Sequence, residues 1–458
     1  MTQRQEQKFQ YMTNEKVQPL VCRLAIPTIL SMLVTSFYNM ADTFFVGRID
    51  TSASAAVGVV FSLMAVLQAI GFFFGHGSGN YIARALGRHD YDDARRMASI
   101  GFYSALIAGG VIMLLGLIFL EPLAHLLGST KTILPYSMDY MRFILIGAPY
   151  MTASLVLNNQ LRFQGNAVYA MAGIIAGAVI NIALDPLLIF TFGMGISGAA
   201  LATIISQFVS FLLLLVGMQR GSTISVHPKD FKPNRHLFLS IFKGGLPSLL
   251  RQGLGSAATV CLNFSAGLYG DAAIAGMSIV TRIMQFAYSS LIGFGQGFQP
   301  VCGFNYGAKL YHRVKEAFWF CVRLSSIVLV ALAVVCFIFA PQIVALFRND
   351  PAVIEVGAIV LRFQSLSFPL AAWLVMCNMM TQTMGKAVRA SVLAISRQGL
   401  FFLPAVLILP RFFGIFGLEI SQTLADVISF AVSIPMQTSL LREMTLEEQQ
   451  LKASAQDP

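Results

Sequence analysis

Twelve stretches of this chain, at about 20–46, 53–83, 97–120, 135–160, 168–190, 196–217, 241–268, 273–304, 317–340, 355–381, 390–410 and 416–441, are apolar over a length that can cross a bilayer. A helix needs about 20 such residues to span the hydrocarbon core. In lipid the backbone must satisfy its own hydrogen bonds, which leaves only helices and closed barrels. The runs are apolar on all sides and lack the alternation of a barrel strand. The expected fold class is therefore all-α, integral to the membrane, with twelve transmembrane helices.

Composition agrees. The chain has 458 residues, of which 56% are hydrophobic and 11% charged, and its mean hydropathy is +0.71. A water-soluble domain carries about a quarter charged residues. The first sixteen residues are polar and no small-residue cleavage site follows them, so the first apolar stretch reads as a retained span rather than a signal peptide. A net charge of +10 does not point to nucleic acid, because Lys and Arg form short clusters between apolar runs with no basic, aromatic-laced face. The six cysteines form no C-x-x-C pair and have no His at ligand spacing, so they read as packing residues.

Lys and Arg mark orientation, because cytoplasmic connections carry their excess. Of the 31, twenty-two fall in one set of segments: Arg4 to Arg23, Arg84 to Arg96, Arg162, Arg220 to Lys243, Lys309 to Lys315, Lys386 to Arg397, and Arg442 to Lys452. The alternate connections hold Arg48, Lys131, Arg348 and Arg411. Both termini and the 218–240 linker are thus expected on the cytoplasmic side of a bacterial inner membrane.

The chain also repeats itself. A shift of 220 residues places Pro27 on Pro247, Gly87 on Gly307, Tyr91 on Tyr311, Pro149 on Pro369, Asn158 on Asn378 and Gly165 on Gly385. Such residues are scarce enough in an apolar chain for the coincidence to count. Six spans per copy is an even number, so the copies enter the membrane in the same direction, as parallel repeats around a central cavity. The expected division is an N-terminal lobe, 1–217, a linker, 218–240, and a C-terminal lobe, 241–458, ending in a polar tail.

An acidic group within a span costs about 2.5–3.5 kcal/mol, so each needs a reason. Three stand out: Asp42, Asp185 and Asp426; Asp139 reads as interfacial. Asp185 has Asn181 one helical turn before it and Pro186 next to it, which removes a backbone donor. Desolvation disfavours the charged carboxylate, so this group could take up a proton and release it during a transport cycle, or hold Na⁺ with amide and carbonyl oxygens. Asp42 could join it if the first and fifth spans pack together. Asp426, near Glu419 and Ser421, reads better as a helix-packing residue. The glycine clusters 75–79 and 293–297 lie inside spans without the following Lys of a phosphate loop, so they suit close helix approach. His76, within the first cluster, reads as a satisfied or cavity-lining side chain. No nucleophile–base pair is present to suggest an enzyme.

The segments AIPTILSMLVTSFYNMADTFFVG, NIALDPLLIF with GMGISGAALATIISQ, and GFGQGFQPVCGFNYGA resemble the multidrug and toxic compound extrusion (MATE) family, and its MepA/DinF-like branch in particular. The likeness runs from about residue 16 to 440. It implies secondary active, H⁺- or Na⁺-coupled antiport of amphipathic, often cationic drugs or dyes by alternating access, with no cofactor beyond the coupling ion. Carried over by residue, it implies a coupling cluster of Asp42, Asn181, Asp185, Thr203 and the Ala199 carbonyl. Na⁺, if used, would sit at Asp42, Asn181, Asp185 and Thr203. Tyr140 and Asn158 would line the cavity, and Pro27 would be the hinge. The seventh span has no acidic residue and offers Arg251 instead, which argues against a coupling site in the C-terminal lobe. Small-molecule drugs or dyes and membrane lipids are the expected partners, and a monomer the working unit. A rival reading is a flippase for lipid-linked oligosaccharides, using Arg142, Arg251, Arg282 and Arg362 for pyrophosphate.

Overall fold

The computed structural model describes residues 3–49 and 51–454; the last residues of the polar tail, 455–458, lie outside the described residues. Among the described residues there are twelve long helical spans and no strand. The first six are Val17–Val46, Thr51–Gly87, Tyr91–Ile118, Leu134–Phe163, Ala167–Pro186 with a π-helical turn Leu187–Thr191, and Gly195–Val216 with a second such turn Gly217–Gly221. The next four are Arg235–Gly267, Asp271–Gly307, Tyr311–Ile338 and Pro351–Thr383. The eleventh joins Ala387–Ile395, a π-helical Ser396–Phe402 and Leu403–Phe413, and the twelfth is Ile415–Ser454.

Ten of these helices are long and apolar enough to cross a membrane. The seventh and eighth fall short because polar side chains interrupt them, among them Arg251, Gln252, Gln285 and Gln296. Side-chain caps start several helices. Asp90 accepts from the Asp93 amide, Asn234 from His236 and Asp350 from Ala352, each satisfying a donor left free in the first turn.

Two features depart from the sequence expectation. The polar N-terminus is a helix, Gln3–Asn14, that ties the two halves together. Its Lys8 donates to the Gly165 carbonyl at 2.8 Å, while Asn305 of the eighth span donates to the Met12 carbonyl at 3.1 Å. The twelfth helix runs about three turns past its apolar part. Lys386 and Arg389 hold Glu443 at 3.3 and 2.5 Å, and Lys315 holds Glu448 at 2.9 Å. With Arg4 donating to the Arg220 carbonyl of the linker at 2.9 Å, these contacts gather the N-terminal helix, the linker and the basic connections on one face of the molecule.

The duplication is visible in atomic detail. Asn158 donates to the Ala170 carbonyl at 3.0 Å, and Asn378 donates to the Ala390 carbonyl at the same distance. A methyl group on Gly87 would strike the Phe304 carbonyl, and one on Gly307 would strike the Arg84 carbonyl, so the two copies meet reciprocally. The first span packs on the eighth and the second on the seventh. One hydrophobic core joins the linker-side half of the N-terminal lobe to the full depth of the C-terminal lobe, whereas a second fills the opposite half of the N-terminal lobe alone. With the reciprocal glycines at the linker-side ends of their spans, the lobes close against each other near the linker.

Candidate functional site

The first span lies along the fifth and carries Asp42 into the N-terminal lobe. Asp42, Asn181, Asp185, Thr203 and Tyr140 are all buried, each at most 6% exposed. Asn181 points its amide toward Asp185 at 3.4 Å, one turn along the same helix. The carboxyl groups of Asp42 and Asp185 lie close enough to feel each other's charge, and Tyr140 and Tyr38 share that field. Thr203 faces Tyr140 and donates to the Ala199 carbonyl at 3.0 Å. That carbonyl would have to share its second lone pair with any other partner.

Four buried oxygens of this cluster have no hydrogen-bond partner: Asp42 Oδ1, Asn181 Oδ1, Asp185 Oδ2 and the Tyr140 hydroxyl. Orphaned buried polar atoms are rare in folded proteins, so four in one place require an explanation. Three of them are carbonyl or carboxylate oxygens, a donor set that fits a proton or a hard cation. No salt bridge joins Asp42 or Asp185 to a base among the described residues. Only two carboxylates contribute, and no group of three or more His, Cys, Asp or Glu forms a metal cluster among those residues.

Two other expected residues lie elsewhere. Asn158 is committed to the Ala170 carbonyl, a helix-to-helix bond that needs no solute. Pro27 lies inside the first span, where its ring removes a backbone bond, and its carbonyl accepts from Ser31 at 2.8 Å. Next to it, Thr28 donates across the seam to the Gly293 carbonyl at 2.6 Å. Any bend at Pro27 is thus coupled to the contact between lobes.

Asp426 behaves differently. Its Oδ1 accepts from Arg397 Nε at 2.7 Å and from Gln422 at 2.9 Å, and its Oδ2 accepts from Ser367 at 2.8 Å. Arg397 also bonds the Tyr288 hydroxyl. Arg397 therefore does not belong to a basic connection, as the charge count had it. It lies in the π-helical part of the eleventh span and faces a membrane-embedded carboxylate. The charge count grouped Arg397 with Lys386 and Arg389 just before it, although it falls inside the 390–410 stretch.

His76, read from the sequence as a satisfied or cavity-lining side chain, belongs to a second buried network whose other members the sequence did not reveal. His76 Nδ1 lies 2.8 Å from Ser248 Oγ across the lobe seam, and Ser248 accepts from Gln382 at 2.8 Å. Arg162, 2% exposed, reaches Asn159 at 2.6 Å beside it. The four arginines that could have held a pyrophosphate do not converge. Arg251 bonds Asn378 and Arg362 bonds the Phe337 carbonyl, while Arg142 and Arg282 are exposed.

Comparison with known proteins bears on the whole chain. A multidrug export protein MepA of Staphylococcus haemolyticus is 28% identical over 97% of this chain and 98% of its own. A crystal structure of a MATE protein in complex with MaD3S superposes with a TM-score of 0.90 at 26% identity, over 95% of this chain and 98% of that one. An outward-facing multidrug resistance MATE transporter of the MOP superfamily gives 0.89 at 26% identity, again over 95% and 98%. The MatE family model matches twice, at residues 27–187 and 247–407, the two copies standing 220 residues apart. With both halves matched in register, this chain belongs to the MatE family.

Proposed function

We propose that this protein is a secondary multidrug exporter of a bacterial cell membrane, driven by inward movement of H⁺ or Na⁺ in exchange for amphipathic small molecules. The observation that carries the reading is the pair Asp42 and Asp185, both buried in the N-terminal lobe within electrostatic reach of each other, with orphaned oxygens and no basic partner. Two like charges in a desolvated site cannot both remain ionised without a cation. Binding a proton or Na⁺ relieves that repulsion, and losing it restores the demand, so occupancy and lobe geometry can be linked. The names of the relatives support drug efflux as the cargo class.

In this reading Asp185 and Asp42 hold the exchanging cation, Asn181 and Thr203 supply neutral oxygens, and Tyr140 closes the site. The first span bends at Pro27 as the cation exchanges, breaking the Thr28 bond to Gly293. The basic face is cytoplasmic. A membrane potential supplies about 2.3 kcal/mol per charge per 100 mV, enough for roughly a fifty-fold gradient of a neutral solute. The test is ethidium efflux from vesicles with pH and Na⁺ gradients imposed separately. Efflux should follow at least one gradient and vanish in Asp185→Asn. Efflux that ignores both gradients would overturn the reading.

A further inference from the structure

The C-terminal lobe contains a cavity of about 350 Å³, on the side away from the linker, that ion exchange in the other lobe does not use. Five glutamines line it: Gln252, Gln285, Gln364, Gln398 and Gln422. Carboxamides at membrane depth are costly unless they face one another, water or a ligand. Among the described residues, the single charged one in the wall is Arg397. Its side chain keeps 21% exposure, while that of its partner Asp426, at 0%, is sealed behind it. Nε and one terminal nitrogen are engaged by Asp426 and Tyr288. A solute entering the cavity therefore meets guanidinium and amide donors, but no free carboxylate. Met277, Met284, Leu262 and Leu418 form the apolar part of the wall.

The π-helical segment makes room for this arrangement. At the 220-residue offset, Arg397 corresponds to Gly177, where even an added methyl would come within 3.0 Å of Ser210 Cβ. The same place in the N-terminal lobe is closed by helix packing. In the C-terminal lobe the backbone widens over Ser396–Phe402 and an arginine fills part of the gap.

We infer that this cavity is a second solute-binding site, for the carboxylate or sulfonate end of an amphipathic molecule. Arg397 and the glutamine amides donate to the oxyanion, and the Met and Leu wall takes the apolar body. Charge-assisted bonds of this kind are about twice as strong as neutral ones and set the preference. The inference concerns equilibrium binding and stands whether or not efflux is ion-driven.

The test compares two probes on the purified protein in lipid nanodiscs, with empty nanodiscs subtracted: dansylglycine, a carboxylate, and its uncharged carboxamide. By fluorescence titration the carboxylate should bind about ten-fold tighter. In Gln252→Leu with Gln285→Leu, its Kd should rise about ten-fold, while ethidium binding stays within about two-fold. Replacing the ion pair as a unit, Arg397→Leu with Asp426→Leu, should remove the preference for carboxylate without leaving a buried charge alone. Equal binding of the two probes to the unaltered protein would overturn the inference. So would a preference that survives the glutamine substitutions, which settle the matter even if the ion-pair variant fails to fold.

Discussion

In the N-terminal lobe, Asp185 sits beside Asn181 and within electrostatic reach of Asp42, and its Oδ2 has no partner. In the C-terminal lobe, Asp426 is equally buried, yet three side chains bond it, Arg397, Ser367 and Gln422, and Tyr288 holds Arg397 in turn. Both lobes descend from one duplicated unit and both keep a carboxylate at membrane depth. The first site is incomplete and needs a mobile cation; the second carries its counter-charge permanently. Breaking a buried ion pair by removing one partner is strongly destabilising, because it leaves a charge uncompensated. Neutralising a carboxylate that lacks a base removes a desolvation cost instead.

That contrast can be broken by substitution. The largest effect is expected from Asp185→Asn, which should abolish gradient-driven ethidium efflux in vesicles while thermal stability holds or rises. Next, Asp426→Leu alone should destabilise the protein by about 3–5 kcal/mol, and Asp426→Leu with Arg397→Leu should recover most of that loss. Thermal unfolding in detergent measures both. A harmless Asp426→Leu would put the two lobes on the same footing and remove the comparison.

Smaller effects sharpen it. Thr28→Val deletes the 2.6 Å bond to Gly293 and should weaken the lobe seam by about 1 kcal/mol. Single-molecule distances between labels on the two lobes should then show a larger open fraction on the linker side. The smallest effect concerns Lys8 of the N-terminal helix. Burial, helped by nearby Arg4, lowers its pKa from 10.5 to about 8. Between those values the undocked helix binds more protons than the docked one, so docking should strengthen as pH rises from 8 to 10. Hydrogen exchange over residues 3–14, corrected for its intrinsic rate, should slow accordingly, and Lys8→Met should erase the trend.

Much of the architecture was legible because lipid leaves the backbone few choices. Length and apolarity placed the spans, ten of them clearly and the more polar seventh and eighth narrowly, and scarce residues such as Pro27 and Asn158 exposed the repeat. The N-terminal helix was missed because it is polar and owes its order to distant carbonyls at Gly165 and to Asn305. Asn181 and Asp185 could be paired by helical spacing, whereas Asp42 reaches them only through packing of the first span on the fifth. Arg397 was misassigned for a related reason. Its partner lies 29 residues away on another helix, and its nearness in sequence to Lys386 and Arg389 drew it into their basic cluster. Local spacing reveals what one helix presents; it does not reveal which helix answers.

The reciprocal glycines at 87 and 307 set how the lobes can part. Surfaces that interlock through long side chains must change many rotamers before they separate. Here, at the glycines, backbone lies on backbone, and the side-chain bonds that cross the seam, such as Thr28 to Gly293 and His76 to Ser248, are short and local. Such a joint can lift away and settle again along the same path, as a lid rests on a rim.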